Sequence, residues 1–260
     1  MTQATGLARW LADAERRHLA DLTPAEVARA LRALSSTYVE RRERLAGRGA
    51  FDTAGKRAAY ALYYAPRRFL MTAHVLAHLP AHAAPRHVLD AGCGTGAAGA
   101  AWAVSAAPAA AVAGRDVHPW ALDEARRTYA AFGLVGETRR GTLGAAGDPL
   151  ATGRTRGHAP RGEGDAVVLS YTLNELDHAS RAHVLDALLE AASRGARVLV
   201  IEPVSRRIAP WWDAAAAAVT AAGGRADEWR ARLELPGITA ALGTAAGLDV
   251  DTSTARSLWL

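Results

Sequence analysis

Residues 88–99 read VLDAGCGTGAAG, a short apolar run that ends in Asp90 and is followed by glycines at 92, 94, 96 and 99. Removing four side chains from eight positions lets the backbone turn sharply and lets a ligand come close to main-chain amides. An apolar strand, a glycine turn and an alanine-rich helical start predict a ligand resting on the N-terminus of a helix. Gly94 to Gly99 also satisfies the GxGxxG spacing of dinucleotide sites, a weak pattern taken singly. Asp90 discriminates between the two. A carboxylate at the entrance repels a pyrophosphate and suits a ligand that carries positive charge and no phosphate.

The chain has 260 residues, half of them hydrophobic, which suits one large domain or a domain with an appendage. The alanine-rich runs at 106–113 and 214–222 are short and weakly hydrophobic, so no membrane span is expected. Asp13, Glu15 and Asp21 interrupt the first segment and argue against a mitochondrial presequence, so with no membrane span a cytoplasmic location is expected. Cys93 is the single cysteine, which excludes an internal disulfide and any cysteine-rich zinc or iron–sulfur site. A net charge of +5 admits nucleic acid as a partner, because clustered arginines neutralise phosphates. The signal is weak: Lys56 is the sole lysine, and abundant alanine, glycine and arginine equally reflect G- and C-rich coding.

Residues 1–85 read as a helical cap and 86–260 as a sheet domain. Thr23-Pro24-Ala25-Glu26 supplies a capping box with proline at the first helical position. Val27, Leu31, Leu34, Tyr38 and Leu45 follow at helical spacing until Gly47 and Gly49. A second helix is expected over 53–64, and a third, reopened by Pro66, over 67–79. From residue 86 strands alternate with helices: 86–90, 111–116, one near 138–143, 165–171 and 197–202, with one or two closing strands near the end. Such alternation makes a parallel sheet covered on both faces. Residues 139–164, rich in glycine, proline and arginine without periodicity, read as a loop.

The pattern VLDxGxGxG resembles the first motif of class I S-adenosylmethionine-dependent methyltransferases. The resemblance implies an α/β, Rossmann-like fold with a mostly parallel seven-stranded sheet. It implies S-adenosyl-L-methionine as cofactor, with Gly92, Gly94 and Gly96 admitting its methionine part, Cys93 as a small residue between them, and Asp90 attracting its amino group. Asp116 ends the second strand twenty residues after Gly96, where a carboxylate can accept bonds from both ribose hydroxyls; Val117 adjoins it. Capping the next helix is the alternative reading of Asp116. Members often carry an acid in the third strand for the adenine amino group, and Thr142 stands there instead, with Asp148 as a later substitute.

Ser170-Tyr171-Thr172-Leu173-Asn174-Glu175-Leu176 closes a buried strand at the end where open α/β sheets bind ligands. Ser170 and Tyr171 are expected beside the cofactor, Asn174 to orient an acceptor and Glu175 to take its proton; helix capping is the competing reading of the last two. Glu202 and Pro203 would border the same pocket, and Arg206, Arg207, Trp211 and Trp212 combine cations with flat faces. SYTLNEL, then VLVIEP, and the leader AYALYYAPRRFL resemble bacterial relatives of the methyltransferase-like family of the mitochondrial small ribosomal subunit, over about residues 25–212. That resemblance implies RNA or the small ribosomal subunit as partner. A small-molecule acceptor and a non-catalytic assembly role stay open beside it. Many members hold metal through cysteines that this chain lacks, and no metal is expected. His74, His78 and His82 are evenly spaced, but Pro80 separates the last two.

Overall fold

The computed structural model describes residues 3–40, with side chains to 36, and residues 51–80, 83–144 and 162–260. Leu45, Gly47, Gly49, His82, Asp148 and most of the arginine-bearing loop lie outside the described residues, as does the Tyr38 side chain.

The helical leader forms where its capping signals stand. Helix α1 is Gln3–His18 and α2 is Pro24–Glu40. At the start of α2 the Thr23 N–H and hydroxyl both donate to Glu26 Oε2 at 2.8 Å, and the Glu26 N–H returns to Thr23 Oγ1 at 3.3 Å. This reciprocal pairing satisfies amides that a helix start otherwise leaves open. Helix α3 (Ala54–Ala59) is capped by Thr53 and runs without a break through a π turn, Tyr60–Tyr64, into α4 (Ala65–His78). The two helices expected on either side of Pro66 are therefore one rod. Pro66 lacks the N–H that would reach Leu62 O in an α-helix, and the buried Thr239 hydroxyl donates to that carbonyl instead at 2.9 Å.

The sheet domain follows as β1 (His87–Ala91), α5 (Ala97–Ser105), β2 (Ala111–Asp116), α6 (Pro119–Ala131), β3 (Gly136–Arg140) and β4 (Asp165–Ser170). It continues as α7 (His178–Ser193), β5 (Arg197–Glu202), α8 (Trp212–Ala221), β6 (Arg225–Ala231), α9 (Gly237–Ala246) and β7 (Ser253–Trp259). The strand order is β3-β2-β1-β4-β5-β7-β6, with β7 antiparallel to both neighbours and the pairings from β3 to β5 all parallel. This is the seven-stranded, mostly parallel sheet that the resemblance implies. Strand β3 begins two residues and ends three residues earlier than expected, which leaves Thr142 in the loop beyond it. Strand β6, RADEWRA, goes unpredicted because it is an edge strand whose residues are mostly exposed, so no apolar face announces it.

The order reverses between β1 and its neighbours β2 and β4, which opens a crevice at the carboxyl ends of these strands. The helical leader packs into the same core as the sheet. Trp10 meets Phe69 and Phe132 at ring separations of 6.0 and 5.9 Å, and Phe69 stacks on Phe132 at 4.8 Å. Arg17 of α1 donates to the buried Glu124 of α6 through both terminal nitrogens. Segments before and after residue 85 thus share one apolar interior. No described helix is long and apolar enough to cross a membrane.

Candidate cofactor and acceptor site

The glycine loop joins β1 to α5. Gly94 has φ +51° and Gly96 has φ +78°, a region that side chains rarely adopt. A Cβ at Gly94 would stand 2.9 Å from Tyr60 Oη, and one at Gly96 would stand 2.7 Å from the Tyr129 ring. Gly99 serves another purpose. A Cβ there would fall 2.6 Å from Asp90 Oδ2, and its N–H donates to that oxygen at 2.9 Å.

Asp90 is 1% exposed and turned into α5, with the Tyr129 hydroxyl at 3.4 Å from the same oxygen. Burial pushes its pKa up to about 7, against the pull of the Gly99 amide. The carboxylate expected at the cavity entrance instead anchors the helix behind it. Cys93 is likewise buried beneath the loop, and burial raises its thiol well above the ordinary value.

In front of the loop lies a cavity of about 200 Å³. Gly92, Gly94, Asp116, Val117, Thr142, Ser170, Tyr171 and Glu175 line it, which brings together most of the residues singled out from the sequence; Asp90, Cys93 and Gly96 stand behind. Asp116 Oδ2 accepts the Gly94 N–H at 2.9 Å, and Oδ1 accepts the His118 N–H at 2.8 Å. His118 itself occupies the cap position of α6, so Asp116 secures the loop rather than capping that helix. Ser170 Oγ is buried with no hydrogen bond among the described residues. Tyr60, whose place on the leader before the first strand suits a cap over the cofactor, also lines the cavity, whereas the sequence does not reveal Phe51, Arg68 and His118 as lining residues. Phe51 lies 4.8 Å from the Tyr60 ring and 4.9 Å from that of His118, which joins the helical leader to the cavity wall.

Beyond β4 the chain makes a short 3₁₀ turn, Leu173–Glu175. Tyr171, at φ +59°, is the only non-glycine residue among those described in the left-handed region, a costly conformation that the surrounding packing must hold. Glu202, at the end of β5, is fully buried under the turn instead of bordering a pocket. Its Oε1 accepts the Leu173 N–H at 2.8 Å and the Asn174 N–H at 3.4 Å, while Oε2 accepts Asn174 Nδ2. Burial raises the Glu202 pKa to about 7, although these donors pull it down. Arg181 of α7 donates to the Leu173 and Leu176 carbonyls at 3.2 and 2.8 Å. A buried carboxyl group therefore holds the amides of the turn and a cation its carbonyls. Asp177 caps α7, accepting the Ser180 N–H at 2.9 Å, so neither Asn174 nor Glu175 has that task.

A second cavity of about 200 Å³ adjoins the first, with Arg68, Tyr171 and Glu175 common to both walls. Tyr64, Met71, Pro203 and Ile208 make it largely apolar, and Asn174 adds a polar group. Trp212 is buried in the core, and Trp211 is stacked under Arg181 at 5.2 Å, so the pair forms no open stacking surface. Arg206 and Arg207 are exposed. The His74 and His78 rings lie 4.2 Å apart beside Trp229.

The family model described as mitochondrial small ribosomal subunit Rsm22 matches residues 54–210, from the helix that carries Tyr60 and Arg68 to the segment beyond Glu202. The chain belongs to the Rsm22 family. The matched span holds both cavities except for the Ser253 and Thr254 edge of the second and Phe51 of the first. No curated protein matches the chain in sequence. Among solved structures, an O-methyltransferase family protein from Burkholderia thailandensis is 17% identical, with a TM-score of 0.49, over 86% of this chain and 66% of that one. A SAM-dependent methyltransferase from Aquifex aeolicus is 16% identical (TM-score 0.44; 74% and 89% covered). Another from Thiobacillus denitrificans, in complex with S-adenosyl-L-homocysteine, is 13% identical (TM-score 0.43; 75% and 91% covered).

Proposed function

We propose that this Rsm22-family chain is an S-adenosyl-L-methionine-dependent methyltransferase whose acceptor is RNA, presented free or on the small ribosomal subunit. The observation that carries the reading is the pair of adjoining cavities sharing Arg68, Tyr171 and Glu175 at the carboxyl ends of the strands.

The residues of the first cavity fit the cofactor. Gly92 and Gly94 line the cavity, Asp116 suits the ribose hydroxyls, Val117 and Leu143 offer apolar contact to the purine, and Ser170 has a buried hydroxyl to pair. Bound there, the cofactor supplies an electrophilic methyl group on a sulfonium. Asn174 orients the acceptor in the second cavity, and Glu175, which borders both, takes the proton that the acceptor nitrogen or oxygen releases. The second cavity is sized for one ring rather than a duplex, so RNA would present an unpaired base. The family description supports the ribosomal partner.

Its apolar lining also favours a second reading, a small planar acceptor. Methyl-labelled cofactor offered in parallel to small ribosomal subunits, total RNA and a metabolite extract separates the two. Label in the RNA of the first two fractions supports the leading reading, and label only in the extract replaces it. Cofactor binding with no label in any fraction marks an assembly protein.

Replacing Asp116 tests the cofactor end. Asp116→Ala is expected to weaken S-adenosylmethionine binding about ten- to a hundred-fold, through loss of charge-assisted bonds worth roughly 1.5–3 kcal/mol. Calorimetry on the folded variant measures this. Unchanged affinity would leave Asp116 only its bonds to Gly94 and His118.

A further inference from the structure

We propose that Arg68, on the helical leader, binds the carboxylate of the cofactor's methionine moiety, so that the leader completes the cofactor site that the glycine loop begins. The inference rests on the cofactor reading above.

The cavity has two chemically different ends. Asp116, Val117 and His118 mark the end suited to the adenosine half, and Arg115 belongs to that end as their neighbour on β2. The amino-acid half must then extend toward the junction with the second cavity, where Arg68 is the cation common to both walls. The ligand has a single anionic group, its carboxylate, and a guanidinium matches a carboxylate in charge and in planar, two-pronged geometry.

Arg68 is also held in place. Its guanidinium carbon lies 4.9 Å from the Tyr60 ring centroid and 4.8 Å from that of Tyr171, so both ring faces attract the same cation. It donates to Tyr60 Oη, the atom that would stand 2.9 Å from a Cβ at Gly94. The Arg68–Tyr60 pair therefore covers the loop at contact distance. Burial holds the Tyr60 phenol well above its ordinary pKa, so it stays neutral and leaves the guanidinium charge uncancelled by the phenol. Asp90, meanwhile, faces α5 and does not line the cavity. Charge recognition at the amino-acid end falls to groups in front of the loop.

Calorimetric titration with S-adenosylmethionine and with its decarboxylated analogue, which keeps sulfonium and amine, tests this without an acceptor. The wild type is expected to bind the first about ten-fold or more tightly than the second. Arg68→Met should weaken binding of the first about ten- to a hundred-fold and change the second less than about threefold, which erases the preference. Arg68→Lys, which keeps the stem and charge but not the fork, should restore part of it, and Arg115→Met should leave the preference in place. A thermal melt confirms that each variant is folded. Equal loss for both ligands in Arg68→Met, or a preference that disappears with Arg115 instead, overturns the role of Arg68 alone. A wild type that binds neither ligand overturns the cofactor reading itself.

Discussion

Asn174→Ala is expected to keep S-adenosylmethionine affinity within about twofold while lowering methyl transfer about a hundred-fold, because small misplacements of reacting groups are costly. Asn174 lines the second cavity and not the first, so cofactor binding should not depend on its side chain. The substitution removes the Nδ2 bond to Glu202, but the backbone N–H bond to Glu202 survives, as does the stronger one from Leu173. The turn should therefore persist. Helix capping gives no competing route to a loss of activity, since Asp177 caps α7. A thermal melt, a cofactor titration and a labelled-methyl assay on one preparation separate the outcomes. Full activity per folded molecule would remove Asn174 from acceptor alignment.

Glu202→Ala is expected to destabilise the protein by about 3 kcal/mol or more, since each buried donor left without a partner costs roughly 1–3 kcal/mol. The donors are the Leu173 and Asn174 amides and Asn174 Nδ2, and Glu202 itself is fully buried. For a chain of this length that is roughly a 6–12 °C fall in Tm. Glu202→Gln keeps an acceptor and should lose less. It also exposes a pH signature. With its pKa raised to about 7, native Glu202 holds a proton between about pH 4 and 7 that the unfolded chain has released. Its contribution is therefore fully present below about pH 4 and is lost as the pH rises through about 7. Wild-type stability relative to Glu202→Gln should grow on acidification from pH 8 to pH 5, as read by denaturant melts. Asp90, raised likewise, is present in both proteins and cancels in the difference. A difference that grows toward alkaline pH would mean that the turn stabilises the anion more than burial penalises it.

Much of the fold can be read from local signals. Thr23 and Glu26 announce the start of α2 because a capping box involves four consecutive residues, and the apolar run before Gly92 announces β1 because a buried parallel strand needs little else. Strands β2 and β5 fall where their apolar runs lie. The π turn and strand β6 do not show in this way. One depends on Thr239 reaching a carbonyl far away in sequence, the other on pairing with β7 alone.

Residue type and spacing alone dictate that a glycine loop follows an apolar strand and opens a helix, that acids stand at Asp90 and Asp116, and that the β4 end carries Asn174 and Glu175. These follow from backbone sterics, periodicity and residue type, which act over a few positions. Where those groups point depends on long-range packing. Asp90 turns from the cavity because Gly99, nine residues on, leaves room for its carboxylate and offers it an amide. Glu202 slips under a turn whose first residue stands 29 positions before it, and Tyr60, bonded by Arg68, reaches Gly94 from the helical leader. Such pairings are set by how helices and strands pack against one another, and burial then makes each polar partner obligatory, since an unpaired buried group costs more than its bond returns.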